Sequence, residues 1–282
     1  MAGNGEDLMP ELPEVETVCR GLRAQILGRR IEGVEVRNAA VIHQNLAPEE
    51  FAARLRGRSI CGVERRGKYI LIVLDQGWLV CHLCMTGKLL VRAQEAAPEL
   101  HTHVVFALDG GLALHYNDVR RFGGFVWSAE DPRALPPLSA LGPEPLEEDF
   151  DAAYLYASAR GRKRPVKSHI LDQGVVAGIG NIYADEILFR AGVRPKKSAA
   201  RLTKAECAAI VRATKEILAE AICAGGSTIR DYVDSSMRAG SFQLAHQVYG
   251  RAGKPCYSCG SILKSVTVGG RSSVYCPHCQ KS

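Results

Sequence analysis

The chain has 282 residues, a formal net charge of +6, 46% apolar and 23% charged residues, and ten cysteines. That is the make-up of an ordinary globular protein with room for two domains and a small appendix, and it excludes a disordered tail-like chain or a disulfide-dense miniature scaffold. No apolar run is long enough to cross a bilayer and no signal-peptide pattern opens the chain, so a reducing cytosol is the expected compartment.

The first eight residues are small and polar. Residues 1–9 read as an extension or a misassigned start, absent from the mature chain. From Glu14 to Gly28 the apolar residues Val15, Val18, Leu22 and Ile26 recur at helical spacing, and Gly28 stops the pattern. Strand-like runs follow: Ile31–Arg37, Tyr69–Leu74, Trp78–Leu83, Val104–Leu108, Leu112–Tyr116 and Phe125–Trp127. Asp109-Gly110-Gly111 supplies a hairpin turn. One helix and then many short strands predict a β-sandwich or barrel over residues 10–131.

Five prolines between Asp131 and Pro145 break regular structure. Residues 132–146 are therefore expected to be a linker. Helical patterns then dominate residues 147–250, at Glu147–Ala159, Val166–Gln173, Asn181–Ala191 and Thr203–Cys223. The last opens on a Thr203-Lys-Ala-Glu206 capping box and ends at Gly225-Gly226. Ser227–Phe242 has weak periodicity and is expected to be a mobile loop. Residues 251–282 form the appendix. The six cysteines outside it (Cys19, Cys61, Cys81, Cys84, Cys207, Cys223) sit among apolar residues and read as small buried side chains.

Within the appendix, Cys256-x2-Cys259 and Cys276-x2-Cys279 present four thiolates at the spacing of a closed, structural zinc site. All four positions are taken by protein, so the metal would fold the tail and leave catalysis elsewhere. Gly178-Ile-Gly180-Asn181 opens a helix and, beside basic residues, can grip a phosphate. The basic excess permits a polyanionic partner. Its local clusters are Arg65-Arg66-Gly-Lys68, Arg120-Arg121 and Arg160-Gly-Arg-Lys163-Arg164, and each taken alone is an ordinary solvated face. Met85 and the Arg120-Arg121-Phe122 run stand at turns, where apolar and cationic groups could fill the gap left by an extruded base. Pro10 follows a methionine. If Pro10 were N-terminal, its nitrogen would be a secondary amine with a pKa near ~8, against ~10.4 for lysine, and able to form an iminium with a sugar carbon. Glu11 and Glu14 are candidate proton donors beside it. Taken alone, Pro10 and Pro13 equally suit a helix start.

Taken in order, several stretches resemble the bacterial formamidopyrimidine-DNA glycosylases. They are Met9-Pro-Glu-Leu-Pro-Glu-Val-Glu-Thr17, Arg65-Arg-Gly-Lys-Tyr69, His82-Leu-Cys-Met85, Arg120-Arg-Phe-Gly123, Leu141-Gly-Pro-Glu-Pro-Leu146, Gly178-Ile-Gly-Asn-Ile-Tyr183, Gln247-Val-Tyr-Gly250 and the cysteine knuckles. The resemblance implies an α+β multi-domain architecture: an N-terminal β-sandwich, a helical domain with a helix–two-turn–helix element, and a zinc-finger β-hairpin holding one Zn2+. It implies a monomer that acts in the cytoplasm, on the nucleoid, upon double-stranded DNA carrying oxidised bases or abasic sites, held in a cleft between domains. Pro10 would be the nucleophile, with Glu11 and Lys68 as further catalytic groups. His82, Met85, Arg120, Phe122, Lys163, Asn181, Tyr249 and Arg271 would contact DNA, with Met85, Arg120 and Phe122 filling the void. The loop at Ser227–Phe242 would close over the flipped lesion. The implied reaction is excision of 8-oxoguanine and formamidopyrimidines followed by β,δ-elimination. Two departures stand out: Val119 where the family mostly has proline, and Cys84 where it commonly has glycine. An endonuclease VIII-like enzyme for oxidised pyrimidines is the near alternative. A non-catalytic damaged-DNA binder is the alternative if residues 1–9 stay attached.

Overall fold

The computed structural model describes residues 9–44, 46–227 and 240–281. Most of the segment expected as an N-terminal extension, and residues 228–239 of the expected loop, lie outside the described residues. The chain forms two compact units. The first comprises Met1–Ser139 with Gly225–Ser241, and the second Ala140–Ala224 with Phe242–Ser282. No helix among the described residues is long and apolar enough to cross a membrane.

The first unit opens on helix α1 (Leu12–Ile26). Strand β1 (Ile31–Val36), helix α2 (Pro48–Leu55) and strands β2 (Ile60–Arg66), β3 (Tyr69–Leu74), β4 (Trp78–His82), β5 (Gly87–Ala93), β6 (Thr102–Leu108), β7 (Leu112–Asp118) and β8 (Gly124–Ser128) follow. They pair antiparallel into two four-stranded sheets, β1-β6-β7-β5 and β2-β3-β4-β8. One continuous core joins both sheets to α1: Val15, Leu22 and Ile26 meet Ile70, Ile72, Phe106, Leu114 and Phe125, all buried. Each such side chain taken fully from water contributes about 1.5–3 kcal/mol. Phe125 anchors the centre, with Phe106 and Tyr116 edge-on at 5.3 and 4.9 Å.

Unit 1 is therefore the expected sandwich, with differences that have local causes. Helix α1 starts at Leu12, before the predicted Glu14, because Pro13 fits the first turn and Glu11 and Glu14 cap it reciprocally. Helix α2 and strands β2 and β5 fall where no element was predicted. Strand β2 ends in the charged run Glu64-Arg65-Arg66 and is a sheet edge, so it lacks a continuous apolar signal. Of the six cysteines outside the appendix, Cys19, Cys81 and Cys207 are buried, and burial pushes the thiols of Cys19 and Cys207 up to about 12 and about 11. Cys61 and Cys223 are exposed, contrary to the sequence expectation.

The second unit holds α3 (Ala152–Ala159), α4 (Val166–Ile170), α5 (Asn181–Arg190), α6 (Lys204–Cys223) and the hairpin β9 (Lys264–Val268) with β10 (Arg271–Tyr275). Helix α3 begins later than predicted because the Asp151 carboxylate accepts the Tyr154 N–H at 2.6 Å and caps it there. Helix α4 ends before Gln173, whose side chain organises the next turn. Its amide donates to the carbonyls of Leu171 and Ile179, and its oxygen accepts from the Gly178 N–H. A Lys167–Asp185 ion pair at 2.8 Å, fully buried, ties α4 to α5. Asp185 also accepts from the Ser273 hydroxyl and the Val274 N–H, and so fixes β10 on α5.

Candidate active site and nucleic-acid contacts

Pro10 and Glu11 stand at the buried N-terminal end of α1. Glu11 is the N-cap and its side chain accepts the Glu14 N–H. In return the Glu11 N–H donates to Glu14 Oε2 at 2.9 Å. Both residues are only 2% exposed. The second oxygen of Glu14 accepts the Ser227 N–H at 2.7 Å, from a residue 213 positions away. Gly226, at φ +80°, makes this possible. A Cβ there would stand 2.8 Å from Glu14 Oε1 and 3.3 Å from Glu14 Cα. Gly240 closes against the carbonyls of Gly225 and Gly226, where a Cβ has no room. One carboxylate thus joins the backbone of Glu11 to the return segment at Gly225–Ser227.

Lys68 is 7% exposed and sits in the two-residue turn between β2 and β3, where Gly67 takes φ +56°. The helix and strand run past each other in register. Arg23 donates to the Val63 carbonyl, the Cys19 thiol to the Glu64 carbonyl, and Arg65 pairs with Glu16 at 3.1 Å. Each step along β2 toward its turn is a step along α1 toward its N-terminus. The same progression carries the Gly67-Lys68 turn to the end of the helix where Pro10 and Glu11 lie.

A second cluster forms on the β4–β5 and β7–β8 turns around Asp118, which is fully buried. Its Oδ1 accepts from the Thr86 hydroxyl and the Arg120 N–H, and its Oδ2 from the Tyr116 hydroxyl and the Gly123 N–H. Thr86 Oγ1 also accepts the Arg120 N–H at 3.0 Å. The turn bearing Met85 and the turn bearing Arg120 and Phe122 are therefore one hydrogen-bonded assembly. Met85 is half-buried and Phe122 exposed, with the Arg120 guanidinium 4.7 Å from the Phe122 ring centre. Cys84 has φ +55°, the left-handed region where glycine is at ease. Cys84 thus holds a conformation natural to glycine at a strain cost of about 1–2 kcal/mol. Val119 is exposed. His82, at the end of β4, stacks on Tyr69 with ring centres 4.6 Å apart. Burial, and then the Lys68 charge, lower its pKa to about 4, so it presents a neutral imidazole at pH 7.

The remaining residues lie in the second unit. Asn181 is the first residue of α5, behind Gly180, and its side-chain oxygen is buried with no hydrogen-bond partner among the described residues. Lys163 is exposed on the turn before α4. Tyr249 is held by the Glu186 carboxylate, which accepts the N–H groups of Gln247, Val248 and Tyr249 at 2.8–2.9 Å. Arg271 is exposed where β10 leaves the Gly269-Gly270 turn. Gly269 packs so closely on Ser168 that a Cβ would fall 2.7 Å from its hydroxyl.

The four appendix cysteines fit a zinc ion. Their sulfurs lie within 4.8 Å of one another, with Cys256–Cys279 at 4.0 Å and Cys259–Cys276 at 3.4 Å. A tetrahedron with ~2.3 Å Zn–S bonds needs sulfurs about 3.8 Å apart. The Gln280 amide oxygen accepts the Cys276 N–H, and the Cys279 N–H donates to Cys276 Sγ, as a metal knuckle requires. The four residues would hold the ion and close its coordination.

Sequence reasoning missed Asp118, Ser227 and the Asp185–Glu186 pair, and it weighed Glu14 only as a proton donor. Each acts through contacts distant in sequence or to backbone groups. The one local signal was an aspartate directly before a turn, at Asp118.

Three family profiles match along the chain: the formamidopyrimidine-DNA glycosylase N-terminal domain at residues 9–125, the formamidopyrimidine-DNA glycosylase H2TH domain at 141–233, and a zinc finger found in FPG and IleRS at 253–281. The formamidopyrimidine-DNA glycosylase of Thioalkalivibrio sulfidiphilus is 46% identical over 273 residues, covering 97% of this chain and all of the relative. That of Carboxydothermus hydrogenoformans is 47% identical over 274 residues with the same coverage. Among solved structures, a Lactococcus lactis FPG variant bound to Fapy-dG-containing DNA superposes with a TM-score of 0.90 at 36% identity, covering 97% of this chain and 100% of that one. The Lactococcus lactis enzyme on abasic-site DNA gives 0.89 at 36% identity, covering 96% and 100%. The chain belongs to the formamidopyrimidine-DNA glycosylase family.

Proposed function

We propose that this protein excises oxidised purines, 8-oxoguanine and formamidopyrimidines, from duplex DNA and then cleaves the abasic strand, with the imino nitrogen of Pro10 as nucleophile. Family membership supports the activity, and the Lactococcus lactis relatives bind DNA with formamidopyrimidine and abasic lesions. The observation that carries the residue assignment is the buried capping box, which holds Pro10 and Glu11 together at the helix end.

The Pro10 nitrogen donates its electron pair to C1′, and the base leaves with the electrons of the glycosidic bond and takes a proton. Glu11 protonates O4′ as the C1′–O4′ bond opens, leaving a C1′=N+ iminium on Pro10. The iminium acidifies C2′. Loss of a C2′ proton expels the 3′ phosphate, and a second elimination expels the 5′ phosphate. Lys68, His82, Asn181, Lys163, Tyr249 and Arg271 contact the phosphate backbone and the damaged strand. Met85, Arg120 and Phe122 occupy the space the base vacates. The Asp118 assembly fixes the backbone of that trio before DNA arrives. The zinc ion, when bound, keeps the β9–β10 hairpin folded and takes no part in the chemistry. A DNA substrate supports a place of action on the nucleoid, in the cytoplasm.

This chemistry requires a free Pro10 nitrogen, hence removal of residues 1–9; the family match begins at Met9. Borohydride trapping on an abasic duplex, with mass analysis of the N-terminus, tests it. A protein starting at Pro10 gives a covalent adduct. An adduct formed by a chain that retains Met9, or no adduct from the processed chain, overturns the assignment.

A further inference from the structure

In the second unit, a cavity of about 360 Å³ opens between the turn after α5 and the β9–β10 hairpin. Pro195, Val266 and Tyr275 supply its apolar part. Arg194, Lys196, Lys197 and Arg201 surround it, with Ser198, and no acidic side chain lines it. Two of the four cations are committed to structure. Arg194 donates to the carbonyls of Gln280 and Pro277, and Lys197 pairs with Glu206 at 2.6 Å. Lys196 and Arg201 are exposed and have no ion-pair partner among the described residues.

The cavity stands apart from the residues assigned to DNA in this unit. It lies beyond the C-terminal end of α5, whose ten residues put it ~15 Å from Asn181 at the other end. Tyr275 is four residues along β10 from Arg271, or ~13 Å. Two uncommitted cations beside a Tyr–Val–Pro floor suit a ligand that joins carboxylates to an apolar side chain. Nucleic-acid backbone offers the charge without the apolar group.

We propose that this cavity docks a short acidic peptide segment of a partner protein. An aromatic or aliphatic side chain would rest on Val266 and Tyr275, and adjacent carboxylates would pair with Lys196 and Arg201. Such a surface recruits the enzyme without covering the groups that touch DNA.

The test uses the zinc-loaded full chain and a fluorescein-labelled pentapeptide of three acids followed by leucine and tryptophan. Anisotropy should show saturable binding, and a peptide with lysines in place of the acids should not bind. The double variant Lys196→Glu/Arg201→Glu, checked for zinc content and melting, should lose about tenfold or more in peptide affinity while its borohydride trapping is unchanged. Absence of saturable binding, equal binding by the variant, or a matching loss of affinity for a lesion duplex would overturn the proposal. The last result would assign the cavity to the DNA footprint. Because trapping reads Pro10 alone, failure of the lyase assignment leaves the peptide result intact.

Discussion

Helices α1 and α6 begin with the same reciprocal box, and the two boxes do different work. On α6, Thr203 Oγ1 accepts the Glu206 N–H at 3.1 Å and Glu206 accepts the Thr203 N–H at 2.9 Å, close to water, with Lys197 on the remaining carboxylate oxygen. On α1 both partners are glutamates, both are buried, and the remaining oxygen of Glu14 reaches the Ser227 backbone. The first arrangement completes a helix end and holds Lys197 beside it. The second buries two glutamates at the helix end that carries Pro10, the proposed nucleophile, and fastens that end to a remote segment. Identical local hydrogen bonding therefore says little about role; burial and the fate of the spare oxygen decide it.

The widest separation between the two boxes is expected in catalysis. Glu11→Gln keeps an acceptor for the Glu14 N–H but has no proton to give, so abasic-strand cleavage should fall by about 10²- to 10⁴-fold with little change in stability. Glu206→Gln should leave cleavage unchanged; single-turnover cleavage assays on both variants would break the contrast if they respond alike. Next comes stability. Glu14→Ala strands two buried N–H groups and should cost ~2–4 kcal/mol by denaturant titration, against ~1 kcal/mol for Glu206→Ala at its more exposed site. Equal losses would mean that burial does not distinguish the boxes. Thr203→Ala should cost ~1 kcal/mol, with faster amide exchange confined to the first turn of α6 and cleavage intact.

The smallest effect is in acid. Burial raises the Glu206 carboxyl, but the Lys197 and Thr203 hydrogen bonds outweigh it and hold its pKa below the ordinary 4.5. A carboxyl depressed in the folded state adds stability above its unfolded pKa and loses it as the pH falls through the folded value. The stability gap between the natural chain and Glu206→Gln should therefore narrow as the pH is lowered from 5 to 3, as measured by urea unfolding at each pH. A gap independent of pH would show that Glu206 acts only through geometry.

The difference between the boxes also marks how much could be read from sequence. The α6 box was visible because Thr203 and Glu206 are the residue types that cap helices, and the helix they start carries a long apolar stripe. The α1 box was not, because glutamate is an unusual N-cap residue. The sandwich strands were legible where runs such as Tyr69–Leu74 are apolar throughout, and illegible at β2, where the edge position lets charges in. The zinc site was complete in the spacing of its cysteines. Asp118 left only its place before a turn as a signal, since its partners are Tyr116 and backbone or hydroxyl groups on two turns. Nor was the conformation of Cys84: a positive φ at a cysteine leaves no trace in the residue itself.

The bond from Glu14 to Ser227 has a consequence for biosynthesis. The β unit is interrupted: its sandwich is complete in the nascent chain by Ser139, yet its last piece returns only at Gly225, after four helices of the other unit have emerged. A ribosome-bound intermediate can pack both sheets and still lack the anchor at the head of α1. The segment carrying Pro10, the proposed nucleophile, is thus among the first translated and among the last to be locked in place, and a chain truncated before Ser227 would lack this anchor.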